Sequence, residues 1–264
     1  MSKEIKHTFA ICAYKESAYL EECIKSLNNQ TIESKVILAT STPNEYISNL
    51  CTKYNIEMFV NEGEKGITQD WNFAYSKTNT EYVTIAHQDD VYGKHYAEKV
   101  VKMLDEAKTP IIFFSDYGEL RNGEKIRKNK LLTIKRIMLL PLRIKAFWNN
   151  KFIRRRILSF GSPICCPSVA FVRENCPDVI FQHGFRSNED WEAWEMLSRR
   201  NGSFVYCTNL LVYHRIHEES ETSAILSDNA RSQEDVIMFN KFWPMPIAKL
   251  IAKAYGTSEK SNEL

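Results

Sequence analysis

Two acidic clusters carry the residue types in this chain that are best suited to chemistry. The first, His-Gln-Asp-Asp at 87–90, follows an apolar run at 82–86 that is typical of a buried strand. The second, Asn-Glu-Asp-Trp at 188–191, opens a segment with helical spacing. Carboxylates at the carboxyl end of a buried strand are well placed to hold a metal ion and a phosphate, and a carboxylate at a helix start can act as a base. The two clusters together favour an enzyme that moves a group off a nucleoside diphosphate.

Composition excludes several other classes of protein. The chain has 264 residues, a net charge of +2 and ordinary apolar and charged fractions, which favours a globular protein and argues against nucleic-acid binding. Its seven cysteines are odd in number and lack a Cys-x-x-Cys pair, as expected for reduced thiols in the cytoplasm. The sequence shows neither a signal peptide nor an apolar run long enough to span a bilayer, so we expect a cytoplasmic protein that is at most peripheral to the membrane.

Apolar periodicity predicts the elements that must position these clusters. Strands are predicted at 8–13, 35–40, 56–60, 82–86 and 111–115, with helices at 20–27, 46–54, 68–75 (capped by Thr68) and 96–104. Strands that alternate with helices indicate an α/β fold with a mostly parallel sheet. Tyr14, Thr40, Asn61 and Asp89 follow or end these strands, so we expect them to gather at one edge of the sheet.

The pattern weakens after Asp116, although strand-like runs return at 165–172 and 203–213. We interpret the chain as one domain, 1–264, with a nucleotide-binding half at 7–116 and an acceptor-side half at 117–223. A C-terminal helical tail follows at 224–264.

A basic segment lies within the acceptor-side half. Residues 125–156 contain twelve Lys or Arg and no Asp or Glu. One interpretation is a solvated surface. The other is attraction to an anionic surface, such as phospholipid headgroups or a phosphate-bearing acceptor.

Six motifs in sequence order resemble those of the family 2 glycosyltransferases, which have the GT-A fold. They cover residues 7–223 and comprise Ala13–Glu16, Asn28–Thr31, Gly66–Asn72, His87–Asp90, Glu189–Trp191 and Tyr213–His217, the last followed by Ser220 and Thr222. The resemblance implies a Rossmann-like, mostly parallel sheet flanked by helices, with a smaller acceptor-side lobe. It also implies metal-dependent, inverting transfer of a sugar from a nucleotide sugar, most simply a UDP-sugar, to a saccharide or lipid-linked acceptor. Cell-surface polysaccharide or glycolipid synthesis is the corresponding process.

The resemblance also assigns roles to particular residues. Nucleotide binding is expected from Tyr14, Glu16, Thr40, Gly66, Asn72 and Gln88. Metal binding is expected from Asp89, His87 and His217, catalysis from Asp190 as base with Glu189 beside it, and acceptor binding from Trp191.

Simpler interpretations of the same residues stay open. Asp89 can belong to a turn and helix cap, and Asp190 can cap its helix. His87 can hydrogen-bond a ribose or a carboxylate, and His217 can be an exposed loop residue. Trp191 can be a core residue instead of a ring that stacks on a sugar.

The sequence departs from the family pattern at two places. His87 stands where an Asp is usual, and the loop Thr40–Pro43 lacks the usual carboxylate that reads the nucleotide base. The expected cofactor is Mn²⁺ or Mg²⁺, and because imidazole favours later transition metals we expect Mn²⁺ to support activity better.

Two other functions compete with glycosyl transfer. A nucleotidyltransferase would need a glycine-rich phosphate loop, which only Gly63–Gly66 approximates. A non-catalytic module that binds nucleotide sugars is the other alternative.

Overall fold

The computed structural model describes residues 4–217 and 230–260, with side chains between 232 and 256 in the second stretch. Ser220 and Thr222 of the last motif lie outside the described residues, as do 224–229 and 261–264 of the C-terminal tail.

Strands and helices alternate through the first half of the chain and continue less regularly through the second. The strands are β1 His7–Ala13, β2 Lys35–Thr40, β3 Glu57–Val60, β4 Tyr82–His87, β5 Val91–Tyr92, β6 Pro110–Arg121, β7 Glu124–Ile126, β8 Val169–Val172 and β9 Ser203–Ile216. The α-helices are α1 Leu20–Asn28, α2 Glu45–Tyr54, α3 Ile67–Ser76, α4 Tyr96–Glu106, α5 Lys130–Met138, α6 Lys151–Ile157, α7 Glu189–Ser198, α8 Ala230–Asn240 and α9 Met245–Lys260.

One sheet joins both halves in the strand order β3-β2-β1-β4-β8-β6-β9-β5, with β7 paired to β6. Strands β3, β2, β1 and β4 run parallel, as expected from the alternation with helices. Strand β8 lies antiparallel between β4 and β6, and β9 runs parallel to β6. Strand β5 pairs antiparallel with the far side of β9.

The register of the parallel strands aligns their carboxyl ends. Thr40 pairs with Ala13 and with Val60, while Cys12 pairs with His87. Because side chains that follow these positions share one edge of the sheet, the expected gathering of Tyr14, Thr40, Asn61 and Asp89 is confirmed.

Several local predictions need correction. The run at 165–172 contains a 3₁₀ turn, Cys166–Ser168, before the short strand β8. The helix predicted to be capped by Thr68 instead begins at Ile67, directly after Gly66. The φ of Gly66 is 148°, a conformation that suits glycine. The basic segment contains two helices, α5 and α6, that its weak apolar periodicity did not reveal.

Besides a small separate cluster of Ala10, Ile37, Ala39 and Ala74, the sheet packs against one large core. Its largest fully buried rings include Trp191, Trp194, Phe113 and Phe171. Among the residues that the structure describes, no helix combines the length and the apolar character needed to cross a bilayer.

Candidate active site

The turn after β4 places two neighbouring aspartates in different environments. Asp90 is fully buried, and its Oδ1 accepts hydrogen bonds from the backbone N–H of Arg215 at 2.8 Å and from Nδ1 of His214 at 3.0 Å. These contacts arise because Val91 pairs with Tyr213 across β5 and β9, so that the residues beside that pair also face each other. Asp90 therefore holds β9 against the turn.

Asp89 faces His217 at the end of β9. Its Oδ2 lies 3.0 Å from Nε2 of His217, although the two residues are far apart in sequence. Burial alone would raise the pKa of Asp89, but the hydrogen bond from His217 and the charge of His214 hold it below its ordinary value. Asp89 is therefore a carboxylate at neutral pH.

Arg215 holds the turn after β4 in place. Its Nε donates to the backbone carbonyl of Asp89 at 2.8 Å, and its guanidinium pairs with Glu22 of α1 and stacks over the ring of Tyr19 at 4.1 Å. The guanidinium thus links α1, β9 and the turn.

His214 forms the charged partner of Asp90. Burial alone would lower the pKa of His214, but the charge of Asp90 and the hydrogen bond to it outweigh burial and raise that pKa to about 9. This contact makes His214 a structural residue that joins β9 to the turn after β4.

His87 lies against Trp71, with the two rings stacked at 5.0 Å between centroids. Burial lowers the pKa of His87, so its imidazole is neutral at pH 7. Its Nε2 has no hydrogen-bond partner among the described residues, and neither does Oδ2 of Asp90. Both atoms belong to residues of the same turn as Asp89, and Nδ1 of His87 lies 3.8 Å from Oδ2 of Asp90.

The donor set around Asp89 fits a cation that takes most of its ligands from elsewhere. Among the described residues, no group of three or more potential ligands comes together. The pair of Asp89 and His217 supplies one oxygen and one nitrogen, and Mg²⁺ or Mn²⁺ commonly binds one or two protein groups plus phosphate oxygens and water. The residues present therefore fit a cation that arrives with a diphosphate.

The loop after β1 is held by Gln88. The backbone N–H of Tyr14 donates to Oε1 of Gln88 at 3.0 Å, and Nε2 of Gln88 donates back to the carbonyl of Tyr14 at 3.1 Å. The ring of Tyr14 is 48% exposed, and Glu16 is also exposed. Gln88 thus presents Tyr14 to the edge of the sheet.

The loop after β2 has a carboxylate beside it that comes from another element. Asp70 of α3 accepts a hydrogen bond from Oγ of Ser41 at 2.6 Å and another from Nδ2 of Asn61 at 2.7 Å. Thr40 is buried and accepts the backbone N–H of Thr42 at 3.0 Å. The carboxylate missing from the loop sequence is therefore supplied nearby by Asp70, which the sequence analysis did not single out.

Asn72, on the same helix, bonds to the protein. Its Oδ1 accepts the backbone N–H groups of Ile180 and Phe181, and its Nδ2 donates to the carbonyl of Phe181 at 2.7 Å. Its role toward a nucleotide stays a prediction, as does that of Gly66 at the start of α3.

The second acidic cluster forms the first turn of α7. Glu189 is buried, and Oδ1 of Asp190 accepts the N–H of Trp191 at 2.6 Å, which satisfies one free donor of the helix start. A carboxylate has a second oxygen, so capping and base catalysis are compatible in Asp190.

Trp191 belongs to the core. Its side chain has no exposed surface, its Nε1 donates to the carbonyl of Leu158 at 3.1 Å, and its ring contacts Phe239. A fully buried ring offers no face to a sugar, so the expected role in acceptor binding is corrected in favour of packing.

The two acidic clusters act on the same buried thiols. Burial raises the pKa of Cys165, and the negative charges of Asp90 and Asp190 raise it further. Burial and the charge of Asp190 likewise raise the pKa of Cys166. A nearby negative charge disfavours the thiolate, so both cysteines stay protonated thiols at neutral pH.

Comparison with known proteins supports a family assignment. The model of glycosyl transferase family 2 matches residues 8–181. The matched region ends before Asp190 and His217. No curated protein sequence matches the chain.

Several solved structures share the GT-A fold. S. aureus TarS 1–349 in complex with UDP-GlcNAc is 16% identical with a TM-score of 0.62, over 98% of this chain and 73% of that one. The mannosyltransferase PcManGT from Pyrobaculum calidifontis, in complex with GDP-Man and Mn²⁺, is 13% identical with a TM-score of 0.62, over 100% of this chain and 77% of that one. A longer S. aureus TarS chain is 16% identical with a TM-score of 0.58. The match covers 98% of this chain but only 44% of the TarS chain. The expected α/β fold class is confirmed.

Proposed function

Because the chain belongs to glycosyl transferase family 2, we propose that it transfers a sugar from a nucleoside-diphosphate sugar to an acceptor hydroxyl, with inversion. The observation that carries the proposal is the contact of Asp89 with His217, which joins the turn after β4 to the end of β9 at the carboxyl edge of the sheet. In this proposal Asp89 is the carboxylate on the phosphate side, and Asp190, at the start of α7, is the candidate base on the acceptor side.

The donor nucleotide lies along the carboxyl edge of β1, β2 and β4 in this proposal. The exposed ring of Tyr14, held by Gln88, contacts the nucleoside, while Ser41 and Asn61 line the neighbouring part of the edge together with Asp70. A UDP-sugar is the expected donor, and a GDP-sugar is the alternative to compare with it.

Asp89 and His217 would hold the divalent cation, and His87 is the nearest further candidate because its Nε2 lacks a partner. The cation, when bound, would neutralise charge that develops on the leaving diphosphate. The presence of imidazole favours Mn²⁺ over Mg²⁺. Comparing activity with each ion checks this, and clearly higher activity with Mg²⁺ would contradict it.

Asp190 is the proposed base. It takes the proton of the acceptor hydroxyl as that oxygen attacks the anomeric carbon, while the bond from that carbon to the diphosphate breaks. A single displacement of this kind inverts the anomeric centre. Glu189, buried beside it, orients Asp190 or binds the acceptor.

The acceptor side carries an exposed face that combines positive charge with apolar rings. Of the twelve basic residues at 125–156, Arg136 pairs with Asp116, Arg155 pairs with Glu195, and Arg154 is fully buried. The eight exposed ones are Lys125, Arg127, Lys128, Lys130, Arg143, Lys145, Lys151 and Arg156.

Exposed rings lie beside this charge. The guanidinium of Arg156 stacks on Phe152 at 5.3 Å and on Trp243 at 4.8 Å, and Trp243 contacts Phe160. Phe152 is 66% exposed and Phe160 is 50% exposed. Cationic and apolar groups on one surface suit an anionic phospholipid bilayer, so this face is proposed to dock on the membrane that carries a lipid-linked or polysaccharide acceptor.

Vesicle binding tests the docking face. The protein should sediment with phosphatidylglycerol-containing vesicles at low salt, be released by raised salt, and ignore neutral vesicles. Phe152→Glu combined with Phe160→Glu should abolish binding, whereas Val179→Glu, at an apolar position that is 48% exposed, should not. Equal binding to neutral vesicles, or retention by the double variant, would contradict the proposal.

The cysteines are consistent with a reducing compartment on the cytoplasmic side of the membrane. All seven cysteines are free thiols, and most of them are buried. We therefore place the activity on the cytoplasmic side.

A panel of nucleotide sugars with Mn²⁺ tests the function itself. We expect one donor to yield free nucleoside diphosphate by slow hydrolysis, faster when a suitable acceptor is added. Release of pyrophosphate would indicate a nucleotidyltransferase, and binding without turnover would indicate a non-catalytic module.

A further inference from the structure

Two carboxylates of α8 hold the segment that leads into α7. Glu234 accepts the backbone N–H of Arg186 at 2.7 Å, the backbone N–H of Ser187 at 3.0 Å and the hydroxyl of Ser187 at 2.6 Å. Beside it, Oδ1 of Asp235 accepts Nδ2 of Asn188 at 2.9 Å. Three consecutive residues before the acidic pair of α7 are thus bound by one turn of α8.

The same helix also contacts α7 on the far side of Asp190. The ring of Phe239 packs edge-on against Trp191 at 4.9 Å, and Nζ of Lys241, which directly follows α8, lies 2.6 Å from Oε1 of Glu192. The contacts of α8 and Lys241 therefore reach residues before and after Asp190.

The burial of Glu234 and Asp235 bears on what their carboxylates do. Glu234 is 9% exposed and Asp235 is 2% exposed. Removing a carboxylate from water is costly unless hydrogen bonds replace the lost solvation, and packing alone would be served by an apolar residue. Three donors that converge on Glu234 instead fix one conformation of the loop, since charge-assisted hydrogen bonds are short and directional.

We propose that Glu234 is a positioning residue for Asp190. Its carboxylate fixes the backbone at Arg186 and Ser187, and so sets the direction in which the first turn of α7 presents Asp190 to the cleft. This inference rests on the proposed function, in which Asp190 is the base. Glu234 does not touch substrate in this account and acts only through the loop.

Turnover of Glu234 variants tests the inference. Glu234→Ala should lower kcat about a hundredfold at saturating donor and acceptor, because a displacement of about 1 Å costs that much. The affinity for UDP, measured by calorimetry, should stay unchanged because the nucleotide edge lies on other elements. Glu234→Gln keeps one acceptor oxygen and should retain an intermediate kcat. The matched control is Gln233→Ala, an exposed position on the same helix, which should behave as wild type.

A double-mutant cycle separates positioning from general destabilisation. Asp190→Asn alone should reduce transfer to a low residual rate, and adding Glu234→Ala should cause little further loss if Glu234 acts through Asp190. Multiplied losses in the double variant, or wild-type kcat in folded Glu234→Ala and Glu234→Gln, would overturn the inference. Normal turnover in Asp190→Asn would instead overturn the proposed base.

Discussion

Asp89 and Asp90 are adjacent in sequence and opposite in environment. One oxygen of the fully buried Asp90 accepts hydrogen bonds from β9, whereas Asp89 pairs with His217 at the carboxyl edge of the sheet. One residue of this acidic pair is thus a structural anchor, and the other is a candidate metal ligand. The structural and the functional interpretation of the motif therefore apply to different residues.

Replacing each aspartate by asparagine should separate these roles. Asp90→Asn removes the buried charge that pairs with the partly buried His214, so the free energy of unfolding should fall by about 3 kcal/mol. Asp89→Asn should change it by less than about 1 kcal/mol, yet abolish the gain in nucleotide affinity that Mn²⁺ provides. Urea unfolding and calorimetry measure both effects. The reverse pattern, with Asp89 as the stabilising residue, would contradict the assignment.

Asp70 should determine how tightly the nucleotide binds. Ser41 and Asn61 both donate hydrogen bonds to the carboxylate of Asp70. In Asp70→Asn the side-chain NH₂ group would face one of these donors and could not accept its hydrogen bond. We expect the Kd for the nucleotide to rise about tenfold, equivalent to the loss of about one hydrogen bond to a charged group.

Asp105→Asn is the control for that variant. Asp105 also accepts hydrogen bonds, from Lys6 and Tyr82, but lies away from the carboxyl edge of the sheet. Its replacement should leave nucleotide affinity unchanged. An equal rise in Kd for both variants would show that Asp70 acts through stability alone.

Residue type and spacing singled out Asp89 and Asp190 as candidates, because the first acidic cluster follows a buried strand and the second opens a helix. They did not reveal Asp70, Arg215 or Glu234. The roles of these three depend on partners distant in the chain, such as Glu22 for Arg215 and Ser187 for Glu234. Only a folded structure brings such partners together.

At the scale of elements, burial explains which predictions succeeded. Strands β1 and β4 are buried along nearly their whole length and stood out as apolar runs. Strands β5 and β7 span two and three residues, too short to show a period. Helix α5 buries only Leu132 and leaves Ile134 and Ile137 exposed, so it is packed against the core far less than the helices that were predicted.

Strand β1 carries a histidine that should make stability depend on pH. His7 is fully buried between Ser34 and Thr84, and burial lowers its pKa from 6.5 to about 3. The folded state therefore keeps His7 neutral while the unfolded chain binds a proton below pH 6.5. Its contribution to stability is complete above pH 6.5 and declines as the pH falls toward 3, by about 1.4 kcal/mol per pH unit.

Urea unfolding of wild type and His7→Gln between pH 7.5 and 5 measures this contribution. The wild type should lose about 2 kcal/mol more than the variant over that range. Parallel pH profiles would show that His7 does not couple protonation to folding.

At the scale of the molecule, the sheet crosses the boundary between the two predicted halves. Strand β8 enters between β4 and β6, and β9 returns to pair with β5, which brings His217 to Asp89. Local periodicity contains no information on such an insertion, since strand order depends on contacts between distant segments. The α/β fold class was accessible from the sequence, whereas the path that closes the site was not.

In the proposed arrangement, the nucleotide binds at the carboxyl edge of the sheet and the acceptor is activated at the start of α7. Glu192 provides a matched control, because it lies in the same turn as Asp190 and pairs with Lys241. Glu192→Gln should therefore leave transfer near the wild-type rate.

The most direct test is transfer by Asp190→Asn, measured beside Glu192→Gln with the donor identified by the nucleotide-sugar panel. We predict that Asp190→Asn loses at least about a hundredfold in kcat, the usual share of a general base, while it binds the nucleoside diphosphate as tightly as wild type. Near-normal turnover in Asp190→Asn would contradict the account.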